Sequence, residues 1–257
     1  MSTILEARGL MKTFGAVTAA NDVCVSITEH SITGLIGTNG AGKTTFVNMV
    51  TGYLKPSSGA IHFAGRDITA LAPRQITRLG IARSFQIPQL YDTLTVRENL
   101  IVALGIVLRN AKASFFSKLP ALVPGHNAEI ERVADNLMTQ FNLNGYGDRV
   151  ARVLPQGVRK QLDIAMAMAG KPQVLLLDEP TSGVAAEEKF GIMDMIMNVV
   201  RTEKVTVLFV EHDMDIVSRY SERVLAFYDG RVIADQAPAD AMNNPEVQRY
   251  VTGKPHA

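Results

Sequence analysis

Residues 32–52, ITGLIGTNGAGKTTFVNMVTG, decide the fold of this chain. The stretch opens with ITGLIG, a continuous apolar run ending in glycine, which is typical of a buried parallel strand. It closes with KTTFVNMVTG, which predicts a helix that stops at Gly52. Between the two, Gly37, four residues and then Gly42-Lys43-Thr44 fit the P-loop pattern. Strand, glycine-rich loop and helix in this order predict an α/β fold built around a phosphate-binding loop.

The loop itself predicts how a phosphate chain would be held. Glycines let the backbone bend so that N–H groups point at phosphate oxygens. Lys43 is expected to reach the terminal phosphates, and the Thr44 hydroxyl is expected to bind Mg²⁺. A chance match to the pattern is the alternative, but the flanking strand and helix favour the binding site. The predicted nucleotide-binding residues of the loop are Gly37, Asn39, Gly40, Ala41, Gly42, Lys43, Thr44 and Thr45.

A second apolar run, VLLLDEP, supplies acidic groups for the same site. Asp178 and Glu179 follow the apolar residues 174–177, at the carboxyl end of the predicted strand, where α/β sheets bind ligands. Asp178 is expected to hold Mg²⁺, directly or through water, and Glu179 to polarise an attacking water molecule. The alternative is that these residues only cap the strand, which the nearby P-loop pattern disfavours.

Composition narrows the class of protein. The chain has 257 residues, 47% of them hydrophobic, and a formal net charge of +1, so its charge gives no reason to expect a nucleic-acid partner. Its single cysteine, Cys24, excludes an internal disulfide, and we expect that thiol in the core. The N-terminus does not resemble a signal peptide, and the longest apolar run, residues 101–108, is too short to cross a bilayer. Any membrane contact is therefore expected to be peripheral.

The rest of the chain predicts an α/β core interrupted by helices. ILEARGL, DVCVSIT, AIHFAGRDI and VTVLFVEH are strand-like, and FYDGRVIA predicts a hairpin at its Asp-Gly pair. Thr95 and Glu98 fit a capping box that begins a mostly helical region, with a looser stretch at SKLPALVPGH. We predict a core formed by residues 1–86 and 159–257 and an inserted α-helical subdomain at 87–158.

Together these stretches resemble the ATP-binding subunits of ABC transporters along essentially the whole chain. GTNGAGKTT is similar to the Walker A motif and VLLLDEP to Walker B. Further positions match the family's order: Phe14, where an aromatic ring stacks on adenine; Gln86, at the loop that touches Mg²⁺ and the transporter; and His212, the histidine that contacts the γ-phosphate. The resemblance implies a P-loop NTPase core with an N-terminal antiparallel β subdomain and an inserted α-helical subdomain.

The resemblance also implies cofactors, partners and location. ATP and Mg²⁺ are the expected cofactors, with Thr44, Gln86 and Asp178 as metal ligands and Glu179, His212 and Gln86 as catalytic residues. Transmembrane permease subunits and a second ATPase subunit are the expected partners, at the cytoplasmic face of the inner membrane. RSFQIPQLYDTLTVRENLIVA, SFFSKLP, VEHDMDIV and NNPEVQRYVTG resemble the importers of branched-chain amino acids, although urea, amides or aromatic acids remain alternative substrates.

One family motif departs from its usual form. ABC ATPases pair head to tail, and each ATP meets the partner's signature, typically Leu-Ser-Gly-Gly-Gln at a helix start. Here residues 154–158 read LPQGV, so Gly157 is expected to contact the partner's nucleotide, while Pro155 offers neither a hydroxyl nor an N–H group. The next loop, SGVAA, places Ala185 where an acidic or amide residue is usual. Arg159 and Lys160, in the first turns of the helix, are expected to face solvent.

These departures predict an asymmetric heterodimer in which sites built on LPQGV hydrolyse ATP poorly. Two other functions are compatible with the same sequence. The chain could be a nucleotide-binding partner with weak hydrolysis, although Glu179, His212 and Gln86 argue against full inactivity. It could also be an ABC protein of translation or DNA repair, but those usually carry two ATP domains or a long coiled coil.

Overall fold

The computed structural model describes residues 2–111 and 126–253 and contains two sheets. The first is antiparallel, in the spatial order β2-β1-β4-β5, and comprises β1 (Thr3–Phe14), β2 (Val17–Thr28), β4 (Ser58–Phe63) and β5 (Arg66–Asp67). The second has the order β10-β9-β3-β8-β7-β6 and comprises β3 (Ile32–Gly37), β6 (Ile81–Arg83), β7 (Val174–Asp178), β8 (Thr206–Val210), β9 (Arg223–Tyr228) and β10 (Arg231–Gln236). Its strands are parallel except β10, which pairs antiparallel with β9.

Helices surround the parallel sheet. They are α1 (Lys43–Val50), α2 (Pro73–Leu79), α3 (Val96–Ala111), α4 (His126–Gln140), α5 (Gln156–Met168), α6 (Ala186–Thr202), α7 (Met214–Tyr220), α8 (Pro238–Asn243) and α9 (Pro245–Val247). A π-helical turn, Gln248–Thr252, follows the last of them. In the part of the chain that the structure describes, no helix is both long enough and apolar enough to span a bilayer.

The parallel sheet separates two hydrophobic cores. Every residue of β3, β7 and β8 is buried, as their continuous apolar sequences predict. Because side chains alternate along a strand, Val174 and Leu176 pack toward α1 and the antiparallel sheet, whereas Leu175 and Leu177 pack toward the other helices. These parallel strands end at the same edge of the sheet, so the loops that follow them lie close together there.

The antiparallel sheet corrects two expectations. Cys24 is exposed, not buried, because the buried residues of β2 alternate as Val23, Val25 and Ile27, and Cys24 lies on the opposite face. AIHFAGRDI is not one strand but two, β4 and β5. They are joined by a turn at Ala64 and Gly65, whose φ angles of 47° and 76° reverse the chain.

Other local predictions are confirmed. Thr95 and Glu98 form the capping box at the start of α3, with the Thr95 N–H donating to Glu98 Oε2 at 2.8 Å and the Glu98 N–H donating to Thr95 Oγ1 at 3.2 Å. FYDGRVIA forms the hairpin β9–β10, with positive φ at Asp229 and Gly230. SFFSKLP lies outside the described residues, as does SKLPALVPGH except for His126.

Candidate active site

The loop between β3 and α1 has a backbone that glycine alone accommodates at two points. Gly37 has a φ of 149°, and a Cβ there would lie 2.4 Å from the carbonyl oxygen of Phe227. Gly42, with a φ of 106°, caps α1, and its Cβ would lie 2.7 Å from the Ala19 carbonyl oxygen. These close approaches hold the loop at the carboxyl end of β3, where the first N–H groups of α1 are free to meet an anion.

Lys43 occupies the first position of α1 and is buried. Its Nζ donates to the carbonyl oxygens of Gly37 and Thr38 at 2.6 and 3.1 Å, so the side chain folds back over the loop. Burial lowers the pKa of Lys43, and the negative charges of Glu179 and Asp178 act in the opposite direction. The ammonium group is therefore hydrogen-bonded to the backbone of the predicted phosphate-binding loop.

Three predicted catalytic side chains meet beside this loop. The Gln86 amide Nε2 donates to Glu179 Oε2 at 2.8 Å, and His212 Nε2 lies 3.1 Å from Glu179 Oε1. Both partners are far from Glu179 in sequence, and the turns after β6, β7 and β8 bring the three together. These three residues and the loop line a single cavity of ≈ 360 Å³, formed by Asn39, Gly40, Ala41, Gly42, Lys43, Thr44, Thr45, Gln86, Glu179 and His212.

Asp178 lies at the end of β7 and is held by a residue that the sequence analysis did not single out. Arg83 Nη2 donates to Asp178 Oδ2 at 2.6 Å, and both side chains are 8% exposed. The guanidinium also donates to Asn48 Oδ1 at 2.5 Å and lies 5.0 Å from the centroid of the Phe85 ring. A sequence signal existed, because an arginine in a buried strand needs a carboxylate partner.

Glu211 is a second residue that the sequence analysis missed. It is buried, and its Oε1 accepts from the Thr181 N–H at 3.0 Å and from Thr181 Oγ1 at 2.6 Å. Its Oε2 accepts from the His212 N–H at 3.1 Å. One carboxylate therefore ties the loop that follows Glu179 to the backbone of His212, which fixes the histidine relative to the glutamate.

Helix α5 packs against the loop that carries Gln86. Lys160 lies in this contact, which corrects the expectation that Lys160 faces solvent. Lys160 is 1% exposed. One turn on, the Asp163 carboxylate accepts from the N–H groups of Phe85 and Gln89, each at 3.0 Å. Burial raises the pKa of Asp163, while these hydrogen bonds and Lys160 favour its charged form. Helical spacing places Lys160 and Asp163 on the face that packs toward the sheet, so both are removed from water.

Other predicted residues lie away from the cavity. Phe14 ends β1 and is 51% exposed, with Lys12 Nζ 5.2 Å from the centroid of its ring. Pro155 caps α5, and Gly157 in its first turn is buried against Ile192 of α6. Arg159 is half-buried, not solvated, because it donates to Asp92 and to the Ala151 carbonyl. Neither Phe14 nor Gly157 is among the described residues that line the cavity.

Comparison with known proteins identifies the family. A family model described as "ABC transporter" matches residues 20–182, which is more than half of the chain. The chain belongs to the ABC transporter family. Members of this family bind ATP and hydrolyse it, so this chain is an ATP-binding ATPase.

Curated relatives agree along nearly the full length of this ABC protein. It is 35% identical over 251 residues to the high-affinity branched-chain amino acid transport ATP-binding protein LivG of Salmonella typhimurium, with 98% of each chain covered. It is 34% identical over 251 residues to the protein BraF of Pseudomonas aeruginosa, which carries the same description, again with 98% of each chain covered. The predicted resemblance to the branched-chain amino acid group is confirmed.

Solved structures confirm the predicted fold class. The ADP conformation of an ATP-binding cassette of an ABC transporter matches with a TM-score of 0.82 and 29% identity, covering 97% of this chain and 98% of the other. A nucleotide-free cassette matches with a TM-score of 0.81 and 28% identity, covering 96% and 97%. A dimeric cassette bound to ADP and Pi, 22% identical with a TM-score of 0.77, shares the fold and covers 91% of this chain and 99% of the other.

The residues near the loop fit a magnesium ion bound with nucleotide. Mg²⁺ prefers oxygen ligands and usually takes one or two from the protein, with the rest from phosphate and water. Thr44 supplies a hydroxyl oxygen in the cavity wall, and Arg83 engages only Oδ2 of the Asp178 carboxylate. Gln86 directs its amide nitrogen to Glu179, which leaves its amide oxygen for a cation. The donor set is therefore one that a hard divalent cation accepts.

Proposed function

We propose that this ABC protein powers the import of branched-chain amino acids or a related small solute, as the ATP-hydrolysing subunit of a transporter. One observation carries the catalytic part of the proposal. Gln86, Glu179 and His212, from three separate turns, line the same cavity as the P-loop, and both carboxylate oxygens of Glu179 are engaged by the other two. The solute is inferred from the relatives LivG and BraF, which are ATP-binding proteins of branched-chain amino acid transport.

Each residue has a role in the proposed reaction. The N–H groups of the P-loop and Lys43 bind the phosphates, and Phe14 stacks on the adenine ring. Thr44, Asp178 and Gln86 would hold Mg²⁺, which neutralises phosphate charge when bound. Glu179 takes a proton from the attacking water, and His212 contacts the γ-phosphate while orienting Glu179.

A groove beside the Gln86 loop receives the membrane partner in this proposal. The groove is an open cavity of ≈ 470 Å³ between β6, α3 and α5, whose wall includes Tyr53, Phe85, Tyr91 and Ile106. Next to it, Ile87 is 74% exposed, and Tyr53, Tyr91 and Ile106 of the groove wall are exposed as well, so several large apolar side chains lie near one another on this surface. An amphipathic segment of a permease would cover these apolar groups. Its position would shift the segment from Gln86 to Tyr91, and thereby the position of the Gln86 side chain in the cavity. In this proposal, the contact with the permease holds the chain at the cytoplasmic face of the membrane.

A second ATPase subunit completes the proposed assembly. We assign residues 1–86 and 159–257 to the ATP-binding core and residues 87–158 to the inserted helical subdomain, which ends in the signature motif at the first residues of α5. Gly157, at the start of α5, serves the nucleotide of the partner in trans. Pro155 provides no hydroxyl for that nucleotide, and Ala185 provides no carboxylate or amide. Pairing with a subunit that has an ordinary signature gives one efficient site, so we propose a heterodimer.

Weak hydrolysis with a switching role is the second candidate. Pro155 and Ala185 favour this candidate because they lack the polar groups that are usual at these positions. Each missing hydrogen bond to a charged group forfeits about 1.5–3 kcal/mol. In a homodimer both sites would lack the serine, and turnover would fall about 10- to 100-fold. The two candidates differ in the rate of turnover, not in nucleotide binding.

The proposal is tested on the chain purified with the membrane proteins that accompany it. MgATP binding and turnover are measured for wild type and Lys43→Ala, with the exposed Lys171→Ala as the matched control. We expect Lys43→Ala to abolish turnover and weaken MgATP binding, and Lys171→Ala to leave both unchanged. Unaltered binding and turnover in Lys43→Ala would refute the site. Copurified permease subunits and uptake of leucine, isoleucine or valine into vesicles would support the importer. Uptake of urea or amides instead would show that the transporter carries a different solute.

A further inference from the structure

Lys160 forms an unusual buried contact beneath the active site. Its Nζ donates to the carbonyl oxygens of Gln86 at 2.6 Å, Glu179 at 3.0 Å and Phe85 at 3.4 Å. All the acceptors recorded for it in the described part of the chain are main-chain carbonyls. An ammonium group has three N–H donors, so these three bonds use its full capacity.

Burying this cation is costly, which argues that it serves a purpose beyond filling space. A lysine 1% exposed loses nearly all its hydration, and burial lowers its pKa. The carboxylates of Asp163, Glu179, Asp178 and Glu211 oppose that effect and favour the charged form. A methionine or leucine would fill the same volume without the desolvation cost.

The bonds of Lys160 join the two residues whose side chains meet in the cavity. Gln86 and Glu179 are 93 positions apart, and their side chains are linked by the 2.8 Å hydrogen bond between Nε2 and Oε2. Glu179 has a φ of 49°, a left-handed conformation that costs a non-glycine residue about 1–2 kcal/mol. A cation on the Glu179 carbonyl opposes the relaxation of that conformation. The same cation fixes the Gln86 backbone relative to it.

We propose that Lys160 is a positioning residue for ATP hydrolysis, holding the backbones of Gln86 and Glu179 so that their side chains meet in the cavity. Because Lys160 lies on α5, one turn after Gly157, it also ties this chain's own catalytic pair to the helix that serves the partner's nucleotide. In the proposed dimer, one side chain would thereby connect the two nucleotide sites. This inference rests on the proposed function, which assigns Glu179 and Gln86 to the reaction.

The variant Lys160→Met separates positioning from nucleotide binding. Methionine retains most of the stem and removes the charge and all three donors. We expect kcat for ATP hydrolysis to fall about 10- to 100-fold, while the Kd for MgATP, which depends on the P-loop, changes less than about threefold. Amide hydrogen exchange of residues 85–89 should accelerate. The exposed Lys171→Met, three residues beyond the end of α5, is the matched control and should resemble wild type in all three measurements.

Two results would overturn the inference. One is an unchanged kcat in Lys160→Met, and the other is a loss of MgATP affinity equal to the loss of kcat, which would indicate a merely structural lysine. Lys160→Gln, which keeps a neutral N–H₂ group, is the second variant should the methionine variant not fold, and the same split between kcat and Kd is expected. Glu179→Gln is assayed in parallel. If Glu179→Gln retains turnover, the proposed function is wrong. If Glu179→Gln is inactive while the Lys160 variants keep wild-type turnover, only the role of Lys160 is wrong.

Discussion

His212 Nε2 lies 3.1 Å from Glu179 Oε1, and Gln86 occupies the other carboxylate oxygen of the same glutamate at 2.8 Å. The carboxylate is therefore oriented from two sides before any nucleotide chemistry begins. Each carboxylate oxygen keeps a further lone pair, so Glu179 can still accept a proton from a water molecule in the cavity while both contacts persist.

Replacing Glu179 with glutamine should separate binding from turnover. The amide keeps the size and one acceptor but cannot take a proton, so hydrolysis should fall about 10²- to 10⁴-fold. Affinity for MgATP should stay within about threefold of wild type, because the P-loop supplies the phosphate contacts. Turnover and equilibrium binding are measured on the same preparation, with the exposed Glu203→Gln as control. Turnover within about twofold of wild type would remove Glu179 from the mechanism.

Removing Arg83 should destabilise the protein in a way that Mg²⁺ relieves. Arg83→Met leaves the buried Asp178 without its ion-pair partner, which costs about 3–5 kcal/mol and lowers Tm by about 6–20 °C. MgATP should narrow this Tm difference, because a cation then compensates Asp178, whereas ATP with EDTA should not. Thermal unfolding is recorded under each condition, with the exposed Arg152→Met as control. An equal Tm difference with MgATP and with EDTA would argue against Asp178 as a metal ligand.

Changing Ile87 to aspartate should disrupt docking on the permease and spare the isolated chain. Placing a charge in an apolar contact forfeits about 1.5–3 kcal/mol of burial, so copurification with membrane subunits should be lost or weakened at least tenfold. MgATP affinity of the purified chain should not change. Ala239→Asp, on the exposed face of α8, is the control.

Crosslinking locates the same contact directly. Cys24 is exposed, so a cysteine placed at position 87 is tested in a Cys24→Ser background. We expect crosslinks from position 87 to a permease subunit. Crosslinks exclusively to proteins outside the membrane would count against the importer.

Asymmetry between the two ATP sites should appear when each glutamate is changed in turn. In the proposed heterodimer, ATP on this chain meets an ordinary signature, while ATP on the partner meets Pro155 and Ala185. Glu179→Gln should therefore remove most of the turnover of the assembled transporter, and the corresponding change in the partner should remove little. Equal losses from the two changes would exclude the asymmetric scheme.

The proline offers a complementary test of the same asymmetry. Serine at position 155 restores the hydroxyl and is a favoured cap for α5. Pro155→Ser should raise turnover at the partner's site about tenfold or more. We expect total turnover to become less dependent on Glu179 as a result. No gain in turnover would indicate that the missing serine does not limit the rate.

The sequence by itself determined the parts of the site whose geometry is local. Gly37 and Gly42 in GTNGAGKTT specify a backbone that other residues cannot adopt without strain, and a buried strand before the loop fixes where it lies. The apolar run 174–177 likewise predicts that Asp178 and Glu179 emerge at the end of a strand. These features follow from conformational preferences and from the alternation of buried residues over a few positions.

Only the tertiary structure decided which polar groups meet and which are buried. Periodicity predicts which residues share a face of a strand or helix, but it does not say whether another element covers that face. The sequence therefore predicts Cys24 in the core and Lys160 in solvent, whereas Cys24 is exposed and Lys160 is buried. The pairs Arg83–Asp178 and Gln86–Glu179 join residues 95 and 93 positions apart. Such contacts depend on the order of strands in the sheet and the packing of α5 against it. That order is fixed by the sum of many nonlocal interactions, which no short stretch of sequence contains.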